Sequence, residues 1–388
     1  MKRIKLGELY KVQSGYAFKS GCVQDSGIPI IRIGNIKNNS VEIDDSFCYD
    51  SSFLNEGKNK NYTIKNGDLL IAMSGATTGK VGIYSHDQIS LLNQRVGKFI
   101  CLNEKSDNRY LYYLLQSPKF KKMISDKAVG CAQPNISNKD IEQLEIPYYE
   151  PASIQNIVEE LNQLYSLINN RKQQIADLNQ LLKKYFRQHY DLINETICIE
   201  NVCTIKARIG WQGLTKKEYL KDGPCFLITG VDFCENRINF DNCFYVTEER
   251  YNQDENIQIH KEDVLVTKDG TIGKVAYINN EPSLPTTLNS GVFVVRVKDK
   301  SKLNSIFLEY SLMSNRFEKF IDSIKTGATI SHLNQEAFLK YEIPVVGLDE
   351  QKKFVELVNN VEEQILLCET DIRELEKMVE IKMHEYFD

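Results

Sequence analysis

The most regular pattern of apolar positions in this chain runs from residue 154 to residue 186. Ile154, Ile157, Leu161, Leu164, Ile168, Ile175, Leu178, Leu182 and Tyr185 recur at steps of three and four, with Arg171 filling the one gap. A heptad seam of this length, free of Gly and Pro, predicts a helix on the order of 50 Å long. A stripe that narrow needs a partner helix to cover it. The chain supplies one in Phe354, Val358, Val361, Ile365, Cys368, Ile372, Leu375 and Val379. Shifted by 197 positions, Ile157 falls on Phe354, Leu161 on Val358, Ile168 on Ile365 and Leu178 on Leu375. Two helices that share one phase are expected to pair.

The same offset governs the segments between them. Residues 130–147 align without gaps on 327–344, residues 66–84 resemble 261–277, and Leu92-Asn93 matches Leu288-Asn289. The period is half the chain, so the chain is one unit copied twice. Its organisation reads as a globular domain (1–150), a spacer helix (151–190), a second globular domain (191–349) and a C-terminal spacer helix (350–388). Short apolar runs predict strands at 28–33, 68–72, 80–84 and 96–101, and again at 226–231, 263–267, 274–278 and 292–297. Helical spacing follows at 110–125 and 305–324. The expected fold class is α/β of the α+β kind. Each domain would hold a curved, mostly antiparallel sheet, and the two long helices would form an antiparallel coiled coil. Glu-Ile-Pro at 145–147 and 342–344 makes an extended entry to each long helix, because proline pushes its predecessor out of the helical region.

Composition narrows the class. The 388 residues are 42% hydrophobic and 26% charged, ordinary for a globular protein. No apolar run approaches a membrane span, and Met1-Lys2-Arg3-Ile4-Lys5 lacks the apolar block of a signal peptide, so a cytoplasmic protein without membrane contact is expected. Ten cysteines form no C-x-x-C pair and the five histidines lie near none of them, which argues for free thiols and no metal site. The net charge of −5 is not that of a basic nucleic-acid binder. It is unevenly spread: residues 1–150 carry 20 Lys and Arg against 16 Asp and Glu, residues 350–388 carry 5 against 11. A local basic face suffices to meet an anion.

Catalytic signatures are missing. The loop Gly75-Ala-Thr-Thr-Gly79-Lys80-Val81 half resembles a phosphate loop, but it has three residues between its glycines and Val81 where a magnesium-binding hydroxyl belongs. Strands flank it on both sides, so no helix N-terminus faces an anion. It reads either as a tight turn or as a loop facing DNA. No His-Glu-x-x-His, Gly-x-Ser-x-Gly, aminomethyltransferase Asn-Pro-Pro-Tyr tetrapeptide or nucleoside-binding Gly-x-Gly turn is found, and no catalytic, cofactor or metal residue is assigned. What recurs instead is polar, cationic and aromatic side chains at matching loop positions. In the first copy these are Tyr16, Lys19, Arg32, Ser74, Thr77, Thr78, Lys80, Asn93, Gln94, Arg95, Gln133 and Asn135. In the second they are Arg208, Trp211, Gln212, Lys268, Thr271, Lys274, Asn289, Ser331, His332 and Asn334. Asn, Gln and Arg read purine edges in the major groove, while hydroxyls and cations hold phosphates. The two copies share a scaffold and differ at its tips, as expected of two readers of different sequences.

The duplication, the Gly-Lys-Val loops at 79–81 and 273–275, the Pro-Asn-Ile-Ser segment at 134–137 and the Glu350-Gln351-Lys352-Lys353 helix start together resemble the specificity subunits of type I restriction–modification systems, over almost the whole chain. The first long helix departs from that family's usual Glu-Gln start with Ser153-Ile154-Gln155. The resemblance implies two target recognition domains, each reading half of a split site in double-stranded DNA. It implies a helix pair that spaces them, roughly one turn of DNA or about 34–36 Å apart, and docks two methyltransferase subunits and, through them, restriction and translocase subunits. It implies no chemistry and no cofactor in this chain, with S-adenosylmethionine held by the methyltransferase. Two other readings remain open: the specificity chain of another restriction–modification arrangement, and a two-module scaffold that binds no DNA.

Overall fold

The computed structural model describes residues 2–37, 39–103, 107–128, 134–209, 213–325 and 332–388. The chain divides into two compact units, Met1–Arg171 with Thr370–Asp388, and Lys172–Glu369. Each unit therefore holds one globular part and a piece of both long helices.

The first unit contains a five-stranded sheet in the order Tyr10–Ser14, Val96–Cys101, Leu69–Ala72, Val81–Ile83 and Asn39–Ser40. The second contains its counterpart, Cys203–Lys206, Val292–Val297, Val264–Thr267 and Val275–Tyr277. Leu69–Ala72 and Val264–Thr267 are buried at every position, which is why they read as continuous apolar runs instead of alternating ones. A second, smaller sheet sits beside each. In it Ile28–Ile31 runs parallel to Ser90–Leu92, and Cys225–Ile228 parallel to Thr286–Leu288. Each domain thus has more than one sheet among the described residues where the apolar pattern suggested one. Repeat starts are clipped to repeat ends: Ile4 pairs with Ile146 in the first unit and Ile197 with Ile343 in the second.

The single helix expected at 110–125 is two helices, Asn108–Gln116 and Pro118–Lys127. Pro118 forbids the helical region to Ser117, whose ψ is 143°, and Ser117 Oγ then accepts from Phe120 N to cap the second helix. The run at 305–324 breaks likewise into Ser305–Ser311 and Asn315–Lys325, without a proline. There Ser314 Oγ, the counterpart of Ser117, accepts from Phe317 N at 3.3 Å, and Asp191 accepts from Asn315 N at 2.9 Å.

The long helices span Pro151–His189 and Leu348–Phe387. They run antiparallel. In the first unit the start of one meets the end of the other, with Lys382 Nζ 3.1 Å from Glu160 Oε1. In the second unit the order reverses, and Phe354 sits among Phe186, Tyr190, Phe307 and Tyr310 with ring centroids 5.0–6.0 Å away. The seam residues Ile157, Leu161, Leu164, Ile168, Phe354, Val358, Val361 and Ile372 are buried. Ile175, Leu178, Ile365 and Leu375 are only half-buried. A lone pair of helices covers a seam residue from one side, whereas the globular part closes over the seam near the helix ends.

Candidate nucleic-acid interface

The candidate residues of the first unit gather at one end of its large sheet because three strands turn there. Tyr10–Ser14 ends into Tyr16, Leu69–Ala72 ends into Ser74, and Val96–Cys101 begins after Arg95. Tyr16 N donates to Leu92 O at 2.8 Å and Gln94 N to Tyr16 O at 3.0 Å. Asn93 N donates to Ile31 O at 3.2 Å, and Met73 N to Arg95 O at 3.0 Å. Ile136 N donates to Met73 O at 2.9 Å, and Ser74 bridges to Asn135. Gln94, Arg95 and Asn135 are exposed along this rim. Gly15 lets it close, since a Cβ there would stand 1.9 Å from Leu92 O.

The second unit repeats three of these five backbone bonds. Asn289 N donates to Ile228 O at 3.0 Å, Lys268 N to Gly291 O at 2.9 Å and Leu333 N to Lys268 O at 3.0 Å. Asn93 Oδ1 accepts from Arg95 N at 3.3 Å and Asn289 Oδ1 from Gly291 N at 2.9 Å, so each asparagine pins the turn into the next strand. The glycine-rich loops match as well. Gly79 N donates to Ala72 O at 2.8 Å and Gly273 N to Thr267 O at 2.9 Å, with φ of +84° and +85°. A Cβ would meet Ile124 at 2.8 Å in one and Ile321 at 3.0 Å in the other. The glycines are dictated by φ and by the isoleucine behind them, which accounts for the loop as a tight turn in both copies.

Several candidates are engaged in holding the fold. Arg208 is buried: only 2% exposed, it donates to Leu288 O at 2.8 Å and Thr287 Oγ1 at 3.1 Å, and its guanidinium braces the inside of the rim. Arg32 pairs with Asp44 at 2.8 Å and lies over the Phe47 ring at 3.6 Å. Thr78 Oγ1 donates to Gly75 O at 2.7 Å, and the hydroxyls of Ser74 and Thr77 are buried with no hydrogen-bond partner among the described residues. Asn334 Oδ1 accepts from Ala337 N at 2.7 Å as a helix cap, and His332 Nδ1 bonds Asp269. Lys268 Nζ lies 5.2 Å over the Phe293 ring, while Lys19, Lys80, Thr271 and Lys274 are exposed. Gln133, Trp211, Gln212 and Ser331 lie outside the described residues.

Two features escaped the sequence. Tyr16 is not alone: Phe18, Phe53 and Tyr62 stand 5.1, 5.0 and 5.5 Å from its ring, and Tyr49 joins through Phe18. In the second unit Arg237 Nη1 donates to Glu309 Oε1 at 2.9 Å, and its other nitrogen bonds Glu362 of the long helix. Burial pushes the Glu309 carboxyl up to about 7, against the opposing pull of Arg237. Arg237, Glu309 and Glu362 lie far apart in the chain, as do the two local aromatic pairs Tyr16–Phe18 and Tyr49–Phe53, so nothing local announces that they meet. Among the described residues no group of three or more His, Cys, Asp or Glu is placed to hold a metal, and no helix is long and apolar enough to cross a membrane.

Comparison with known proteins bears on this geometry. The family model described as the type I restriction modification DNA specificity domain matches residues 1–180 and 194–377. The MjaVIII specificity subunit of Methanocaldococcus jannaschii is 30% identical over 188 residues, a match covering 47% of this chain and 43% of that protein. The EcoBI specificity subunit of Escherichia coli is 22% identical over 393 residues, 92% of this chain and 78% of that protein. Among solved structures, one from a study of assembly and conformational transition in a type I system superposes with a TM-score of 0.57 at 14% identity, over 99% of this chain and 97% of that one. The S subunit from M. genitalium gives 0.51 at 14% identity, over 100% and 96%. Two family matches fall on the two halves whose rims share three backbone hydrogen bonds, and the chain belongs to the type I restriction–modification DNA specificity family.

Proposed function

We propose that the chain is a non-catalytic, DNA-reading subunit in which each rim meets one half of a split site. The observation that carries this is the pair of rims: backbone bonds repeat, while the side chains they display differ. Exposed Gln94, Arg95 and Asn135 answer to Ser290, Gly291 and His332. A conserved frame with interchangeable tips is what direct readout requires, since frame contacts set register and side chains read base edges. The globular parts 1–150 and 191–349 are then the readers, and 151–190 with 350–388 the spacer.

Exposed apolar residues on the long helices give partners a place to bind. The first unit offers Leu167, Met378 and Ile381, the second Leu181, Leu366 and Leu367. Such residues on otherwise solvated helices mark interaction surfaces, and one set per unit suits two methyltransferase subunits, with restriction subunits joining through them. The methyltransferase would hold S-adenosylmethionine and flip the target base into its own pocket. Its DNA substrate places the complex in the cytoplasm.

The test is a swap of residues 1–150 for the same domain of a relative, followed by methylome sequencing of cells that also carry the methyltransferase. One half of the methylated sequence should change. A change in both halves, or in neither, contradicts independent reading.

A further inference from the structure

The glycine-rich loop also borders a groove. In the first unit a groove of about 780 Å³ opens between this loop and the helix Pro118–Lys127, and Gly75 and Pro134 belong to both groove and rim. Its charged lining residues are Lys37, Lys80 and Lys121, with no carboxylate among the described residues that line it. Lys80 and Lys121 are exposed, whereas Lys37 is partly neutralised by Glu42 at 3.5 Å.

The second unit holds the equivalent groove, about 610 Å³, and the Gly79–Ile124 and Gly273–Ile321 approaches fix the correspondence. Lys274 takes the place of Lys80, but Glu318 stands where Lys121 does, and Asp322 where Ser125 does. Three cations there face three carboxylates, and Arg187 of the long helix bonds Glu318. One groove carries an uncompensated positive field and the other is balanced internally.

We propose that the groove of the first unit is a phosphate-binding site for the duplex backbone flanking the sequence its rim reads, with Lys80 and Lys121 as the contacting cations. The second groove does not serve this purpose. A groove walled by protein concentrates the field of its lysines. A lysine that meets a phosphate releases a counterion on binding, which makes its contribution depend on salt and not on base sequence. The inference rests on the DNA reading proposed above and assigns an asymmetry that reading does not contain: the first half of the complex grips the backbone beside its rim more strongly than the second.

The experiment uses the full chain assembled with its methylating partner and follows binding of a duplex carrying the recognised site across a salt series. Each lysine contributes about 0.9 to the slope of log affinity against log salt, or about 8-fold in affinity near about 0.1 M salt. Lys80→Gln and Lys121→Gln should each lose that amount, and the double variant about 60-fold, with the methylated sequence unchanged. Lys80→Arg with Lys121→Arg should retain wild-type slope and affinity, as should Lys340→Gln, which removes an exposed lysine of the second unit already paired with Glu336. Thermal unfolding checks that each variant is folded. A double variant with the wild-type slope overturns the site. So does a variant that loses binding of tripolyphosphate while keeping the duplex slope, since the groove would then take a free polyphosphate. Wild-type complex that binds no duplex at any salt sinks DNA reading itself, and this site with it, a result distinct from an unchanged slope.

Discussion

Arg171 Nε lies 2.9 Å from Asp371 Oδ2, both in the first unit, Arg171 as the last residue of its first segment and Asp371 as the second of its last. The pair occupies the one place in the first seam where an apolar residue is missing. Both side chains are 44% exposed, so water screens the attraction and its contribution is about 0–1 kcal/mol. Arg171→Leu, which restores the heptad, is expected to change stability by less than about 1 kcal/mol in thermal unfolding. A loss of several kcal/mol would mean the pair holds the helices together, contrary to its exposure.

The glycines at the loop ends separate two kinds of strain. Gly67 and Gly79 both have positive φ, but a Cβ on Gly67 meets nothing within 4 Å, while one on Gly79 stands 2.8 Å from Ile124. Gly67→Ala should cost about 1 kcal/mol from backbone strain alone. Gly79→Ala should cost about 2–4 kcal/mol, because the clash adds to the strain. Denaturant titration of the two variants side by side measures the difference, and equal losses would show that Ile124 yields without cost.

Glu309 makes the second unit sensitive to pH. It is 2% exposed and its carboxyl is pushed up to about 7 from an ordinary 4.5, by burial first. Between those values the folded state holds a proton that the unfolded state has lost, so stability falls as pH rises through the window. Glu309→Gln removes this dependence. Its stability relative to wild type should therefore improve between about pH 5 and pH 8, by on the order of 1–3 kcal/mol. Arg237→Ala should do the opposite at high pH and cost about 3 kcal/mol, since it leaves the ionised carboxylate buried without its cation. Melting curves of both variants at the two pH values give the signs directly.

The rim side chains should carry sequence preference and little stability. Gln94 and Arg95 are exposed, and their backbone atoms, not their side chains, hold the turn. Arg95→Ala and Gln94→Ala are expected to leave melting within about 0.5 kcal/mol. Discrimination at a base in one half of the site should weaken by about 1–3 kcal/mol for whichever residue reads it. Binding to a panel of single-base variants of the site measures this. Loss spread evenly over all sequences would instead mark them as phosphate contacts.

The chain's own order of residues decided its duplication, the phase of its two helices and the position of most strands. Those features rest on local periodicity and on an offset visible in the residues themselves. It also decided that Gly79 and Gly273 end the loops, because positive φ is a local demand. The tertiary structure alone decided which polar residues are available to a ligand. Arg208 and Asn289 sit at reader positions in the sequence, yet one is buried as a brace and the other pins a turn, since a side chain's role depends on what lies across from it in space. Helix breaks divide in the same way: Pro118 announces one, while the other is capped by Ser314, the counterpart of Ser117, and also held by Asp191, a residue 124 positions from Asn315. Lys121 and Glu318 occupy equivalent places and give two grooves of different charge, and only the approach of each loop to its helix makes those single residues count.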